Sequence, residues 1–175
     1  MKKSWIIIPL LIFSGCMKAD ITHMTVKMVN TEGKSIGTVK LVEQPRGVEM
    51  TLDLKDLPPG VHGLHIHEKG KCIKPSFQSA GKHLNPEQKK HGLLNPAGAH
   101  AGDLPNITVQ EDGSVKVDVL ASNVTMKEGR INSLLTKDGT ALVITSKKDD
   151  GMSQPSGNSG KPIACGEISN HKQKK

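Results

Sequence analysis

The chain has 175 residues and a formal net charge of +7, a length that suits one domain once a processed leader is set aside. Aromatic residues make up only 2% of it, which excludes a core built on large rings. Aliphatic side chains and methionine have to fill that core, helped by covalent or metal cross-links.

The chain opens on the leader. Lys2 and Lys3 form a basic start, residues 5–13 an apolar run interrupted by Pro9, and Ser14-Gly15-Cys16 puts small residues directly before a cysteine. So short a run does not span a bilayer of about 30 Å, which takes ~20 helical residues. An ordinary cleaved signal peptide with an incidental cysteine is one reading. The small-small-Cys ending favours another, because it resembles a bacterial lipobox and not an A-x-A-like site. That resemblance implies cleavage before Cys16 and lipid on its thiol and new amino terminus. Residues 1–15 are then signal, 16–21 anchor and linker, and the protein is extracytoplasmic and held to the cell membrane. Removing 1–15 takes away two lysines and no acid, so +7 becomes +5, and it leaves Phe77 as the single aromatic residue. If Cys16 carries lipid, Cys72 and Cys165 remain as an even pair in an oxidising compartment, as expected of a disulfide. Two free buried thiols are the alternative.

Short alternating segments follow. Met24, Val26 and Met28 alternate with polar residues, residues 31–34 read as a turn, and 36–42 and 48–54 read as two more strands. Pro58-Pro59-Gly60 is a stop, and 62–67 reads as the next strand. Residues 69–106 break the pattern with Gly, Pro, Asn and His and little apolar periodicity. A loop of that length inside a compact domain has to be functional or clamped. Strand signals resume at 107–109 and 115–120 around the Asp112-Gly113 turn, then at 131–135 and 141–145 around Asp138-Gly139. A second irregular stretch, 147–161, leads to a last strand at 163–168. About eight short strands, no convincing helix and two long loops predict an antiparallel β-sandwich or barrel over residues 22–169. The basic end at 170–175 reads as a disordered tail. An exported lipoprotein meets little nucleic acid, so that tail faces anionic lipid or cell wall and no nucleic-acid partner is expected.

Six of the eight histidines fall between positions 62 and 100. His65 and His67, two apart on a strand, project from the same face and present two imidazoles to one metal. His-x-His alone is a weak signal, more often surface or hydrogen-bonded histidine. His83, His91, His100 and Asp103 lie in the long loop, and three imidazoles with one carboxylate match a closed, four-coordinate zinc site. A solvent-exposed His-rich loop is the blander reading.

At this point the chain resembles the copper/zinc superoxide dismutase family. His62-Gly63-Leu64-His65-Ile66-His67-Glu68 is similar to its copper-binding strand. Cys72 with Ser79-Ala80-Gly81-Lys82-His83-Leu84-Asn85-Pro86 is similar to its stretch from disulfide cysteine to bridging histidine. Lys90-His91-Gly92 and His100-Ala101-Gly102-Asp103-Leu104 resemble its other zinc-ligand motifs, and Gly157-Asn158-Ser159-Gly160 with Ala164-Cys165-Gly166 resemble the segments before the last strand. The resemblance implies an eight-stranded Greek-key β-barrel with a zinc-binding loop, a Cys72–Cys165 disulfide, Zn2+ and Cu2+ as cofactors, and dismutation of superoxide to O2 and H2O2. It makes His65, His67 and His83 copper ligands, with His83 bridging to a zinc ion held also by His91, His100 and Asp103. Asp149 matches the carboxylate that hydrogen-bonds one histidine of each metal, His65 and His91, and His62 a structural histidine. It leaves the oligomeric state open, a homodimer included.

Two positions depart from the family. Thr145 stands where a fourth copper histidine is expected, and its neutral hydroxyl is a poor copper donor. Pro162 stands where an arginine guides the anionic substrate, so that no catalytic cation is assigned there; Lys161 precedes it. Three readings follow. One is a zinc-stabilised member that binds copper weakly and has weak or lost activity. Another is a working dismutase on three histidines, with water, Met152 or His171 as a further ligand. The last is a non-enzymatic copper or zinc carrier at the cell surface.

Overall fold

A computed structural model describes residues 20–170. The leader, Cys16 and residues 171–175, His171 among them, lie outside the described residues.

Nine strands and one short 3-10 turn make up the fold, and no α-helix occurs among the described residues. Strand β1 (His23–Asn30) buries Met24, Val26 and Met28 on one face, as the alternation predicts. The Asn30 side chain accepts the N–H groups of Glu32 and Lys34 and turns the chain into β2 (Ser35–Gln44). A two-residue connection then leads to β3 (Gly47–Leu54). The segment 62–67, expected as one strand, is divided at Gly63 into β4 (Gly60–His62) and β5 (Leu64–His67). After the long loop come β6 (Ile107–Val109), β7 (Val115–Ala121), β8 (Thr140–Thr145) and β9 (Pro162–Ile168).

All pairings between strands are antiparallel. Seven strands form a curled sheet in the order β5-β8-β9-β1-β2-β3-β7, and β4 and β6 form a separate ribbon. Because β4 runs straight into β5 and β6 lies against β7, the ribbon spans the gap between the two ends of the curled sheet. The all-β antiparallel expectation holds. One expected strand does not form: residues 131–135 make only an isolated bridge, Thr125 to Ser133. Leu134 and Leu135 are buried as loop plugs while Ile131 is 71% exposed, so this apolar run closes a loop and extends no ladder beyond that bridge.

The main core is aliphatic and sulfur-containing, with Met28, Ile36, Leu41, Met50, Leu52, Leu64 and Ile66 fully buried. Phe77 is not part of it. It packs outside the sheet with Ala80, Ala141, Val143 and Cys165, against the Cys72–Cys165 disulfide. That bond, with 5.7 Å between Cα atoms, pins the start of the long loop to β9. Strand β8 is therefore buried on both faces: Leu142 and Ile144 point into the main core, Ala141 and Val143 under Phe77.

Candidate metal centre

Leu64 and Ile66 of β5 face the core, so His65 and His67 project from the opposite face of that strand. The long loop is laid over them by backbone pairing. Ile66 N–H donates to Gly102 O, Leu84 N–H to Ile66 O and Gly102 N–H to Leu84 O, at 2.8–2.9 Å. These bonds set His83 opposite His67 and Asp103 opposite His65. Gly102 is required there, since a Cβ would stand 2.2 Å from Ile66 O.

Donor atoms of His83, His91, His100 and Asp103, all four residues buried, lie within 4.8 Å of one another. Asp103 Oδ1 is 2.9 Å from His83 Nδ1, 3.1 Å from His91 Nδ1 and 3.3 Å from His100 Nδ1. Ligands about 2.05 Å from a tetrahedral ion stand ~3.3 Å apart, so these spacings suit one ion. The other carboxylate oxygen is fixed by the N–H groups of Gly92 (2.8 Å) and His100 (3.0 Å), which aims Oδ1 at the imidazoles.

Asp149, from the second irregular stretch, joins this group to β5. Its Oδ2 accepts His65 Nε2–H at 2.6 Å, and its two oxygens lie 3.1 and 3.0 Å from His91 Nε2. Gly157 makes room for it, because a Cβ there would meet Asp149 Oδ1 at 2.0 Å in a left-handed backbone conformation. The bond to His65 decides its tautomer: a carboxylate only accepts, so His65 carries its proton on Nε2 and offers Nδ1. His91 faces a carboxylate from both ring nitrogens, Asp103 at Nδ1 and Asp149 at Nε2. His67 donates Nδ1–H to Gly81 O at 2.8 Å and offers Nε2. His65 Nδ1, His67 Nε2 and His100 Nδ1 are buried without any hydrogen-bond partner. Buried nitrogens left as bare lone pairs fit a metal and fit little else.

The electrostatics agree. Burial, with His83 beside it, pushes His67 down to about 4 despite the Gly81 carbonyl. Burial likewise pushes His83 down to about 4 against the pull of Asp103. Burial lowers His65 and His100 too. Burial works against the Asp103 carboxylate, yet hydrogen bonds from His83 and the Gly92 N–H hold it well below the usual range. Asp149 is lowered as well: burial opposes, but His65, the Gly151 N–H and His91 prevail. At neutral pH His65, His67, His83 and His100 are thus held as neutral imidazoles beside ionised carboxylates, so a metal displaces few protons from them on entering.

The residues expected from the sequence to hold copper are less tightly gathered. His65 and His83 stack with centroids 4.1 Å apart and His67 stands edge-on to His83 at 5.1 Å, but His67 belongs to neither convergent donor group among the described residues. His67, His83, Thr145 and Pro162 line an open cleft of about 580 Å³, and Met152 does not. Thr145 is buried, and its hydroxyl lies 3.3 Å from the carbonyls of Gly63 and Lys147. Thr145 and Pro162 are direct cross-strand partners, beside a register shift between Ile144 and Thr145. The two departures from the family thus meet at one point. His62 is buried behind it, its ring nitrogens on Thr145 O and Pro58 O at 2.8 Å each.

Two clamps escaped the reading of the sequence. Asn106 bonds the backbone of Asp149 in both directions, and Gln154 does the same for His91. Neither sits in a motif, and no local signal marks a side chain that fixes a backbone 43 or 63 positions away.

Comparison with known proteins points one way. The family model described as copper/zinc superoxide dismutase (SODC) matches residues 35–168. Superoxide dismutase [Cu-Zn] 2 of Aquifex aeolicus is 50% identical over 160 residues, 91% of this chain and 93% of its own. Superoxide dismutase-like protein YojM of Bacillus subtilis is 42% identical over 151 residues, 85% of this chain and 77% of its own. Among solved structures, a double mutant of a SOD-like protein from Bacillus subtilis superposes with a TM-score of 0.81 at 44% identity, covering 83% of this chain and 97% of that one. The Cu/Zn superoxide dismutase from Brucella abortus gives 0.69 at 31% identity, covering 83% and 99%. No helix among the described residues is long and apolar enough to cross a membrane.

Proposed function

The chain belongs to the copper/zinc superoxide dismutase family, and from that premise we propose that it is a zinc-stabilised, extracytoplasmic lipoprotein of the family whose superoxide dismutation is weak or lost. The observation that carries this reading is Thr145. Its hydroxyl, at the position of the fourth copper imidazole, faces the carbonyls of Gly63 and Lys147. Zinc is assigned to His83, His91, His100 and Asp103, whose donors already converge. Four protein ligands close that site, which makes it structural. Copper is assigned to His65, His67 and His83, where it would supply one-electron exchange with superoxide. With three imidazoles and no fourth, these residues would hold a reduced ion only loosely. Asp149 orients His65 and His91 together, so that both metals share one positioning carboxylate. Lipid on Cys16 would hold the protein at the cell membrane.

The competing reading is a working enzyme on three histidines. It is favoured by the Aquifex relatives, which match at 50% and 46% identity over nearly the whole chain and are named superoxide dismutases. Dismutase assays on protein loaded with both metals decide between the two. Weak activity in the parent, raised well above it by Thr145→His with Pro162→Arg, supports the proposal. A parent as active as the double variant sinks it. Transfer of copper from the loaded chain to an apo-acceptor, without turnover, would instead mark a carrier.

A further inference from the structure

The cleft beside His67 and His83 has lost the cation expected at position 162, yet it has not lost all positive charge. Lys82 is the one lysine or arginine among the residues that line it, and Glu68 the one exposed carboxylate. Lys82 is held in place by its backbone: Glu68 N–H donates to Lys82 O at 2.9 Å, and Lys82 N–H donates to Glu68 Oε1 at 3.3 Å. It directly precedes His83, which is bridged to His67. The side chain is exposed, as suits a cation met by an entering ion, and forms no ion pair among the described residues. Lys161, next to Pro162 in sequence, is exposed and does not line the cleft.

We propose that Lys82 is the anion-binding cation of this cleft, drawing small monovalent anions to the space before His67 and His83. The proposal deepens the reading of this site as one that receives superoxide, and rests on it. An ammonium is a compact point charge without the planar fork of a guanidinium, so it suits a small anion and gives attraction more than fixed orientation. With Glu68 in the same wall, losing Lys82 leaves the exposed lining net negative, and a concave site focuses that change onto the entering ion.

Azide is the probe. Binding to full-length protein loaded with zinc and copper is read from the visible spectrum at several salt concentrations. Lys82→Gln should weaken azide by about fivefold and flatten its salt dependence, while Lys82→Arg and Lys161→Gln stay within about twofold of the parent. Unchanged affinity and salt slope in Lys82→Gln overturn the proposal. If copper does not load, the copper reading fails and the cation is judged separately on zinc-loaded protein. There azide should shift the amide signals of Gly81, Ser159 and Gly160 in the parent and not in Lys82→Gln. Equal shifts in both, or none in the parent, overturn it.

Discussion

The molecule is held together in two different ways at its two sides. Where β1, β2, β3 and β7 lie side by side, alternate aliphatic residues fill the interior, and between β2 and β3 the register runs unbroken from Gly37 with Leu54 to Gln44 with Gly47. Around β5 and β8 the outer face is covered by irregular chain, and that cover is held by a disulfide, a carboxylate among three imidazoles, and side chains bonded to distant backbone. Apolar burial is non-directional and tolerates small changes, whereas a polar cluster is stable only when every partner is present. Function sits on the second kind of ground.

The largest break in this contrast is to remove both the disulfide and the proposed zinc ion. The disulfide closes a separation of 93 residues, worth about 4–5 kcal/mol in the chain-entropy model, and a structural zinc ion at the His/Asp cluster would contribute at least as much. Typical domains have only about 5–15 kcal/mol in all. Reduced, chelated protein is expected to be largely disordered, with 69–106 and 147–161 losing protection first. Far-UV circular dichroism and amide exchange measure this. A cooperative melt with native-like protection would show that the aliphatic side alone suffices.

Acid attacks the same side more gently. His67 and His83 are pushed down to about 4 from an ordinary 6.5 by burial. Below 6.5 the unfolded chain takes up protons that the fold refuses, so stability is full above that pH and drains as pH falls toward 4. Oxidised, metal-free protein should therefore show a falling melting temperature across that window, levelling above pH 7. A flat profile from 7 to 4 would mean that these imidazoles are not buried neutral.

The two sides also differ in how far they can be read from sequence. Met24, Val26 and Met28 announce a half-buried strand by alternation alone, and the structure agrees. Residues 131–135 carry a similar apolar content, but Leu134 and Leu135 plug a loop, and short apolar runs do not reveal whether they pair. The ligand types in 69–106 were legible because a long loop needs a clamp and His with Asp is metal chemistry. Their grouping as one set came from ligand type and the family resemblance; the pairing that brings them together, among Ile66, Leu84 and Gly102 far apart in the chain, left no local signal. The meeting of Thr145 with Pro162 was invisible for the same reason.

A finer test separates metal affinity from stability on the polar side. Asp149 touches His65 and His91 by Nε2, leaving Nδ1 of each for the proposed metal sites. Asp149→Asn keeps the size but lets the amide offer N–H where an acceptor is needed, which disturbs both tautomers. Metal affinity should fall about 10–100-fold. Competition with a chelator of known affinity measures it, and a loss confined to one metal would show that the carboxylate does not serve both histidines alike.

The smallest expected effect lies on the aliphatic side, at Met50. It is fully buried in β3, where its neighbours across the ladder are Leu41 and Val119. Met50→Leu conserves volume and polarity but replaces an unbranched, adaptable side chain with a branched one. Such exchanges cost less than about 1.5 kcal/mol when the surroundings repack. The stabilising terms at β5 do not pass through β3, since the bonds that place His83 and Asp103 run among Ile66, Leu84 and Gly102. Chemical denaturation should register the small loss while chelator competition registers none. If the same substitution loosened the metal, the two sides would share one cooperative packing, and the division drawn between them would be wrong.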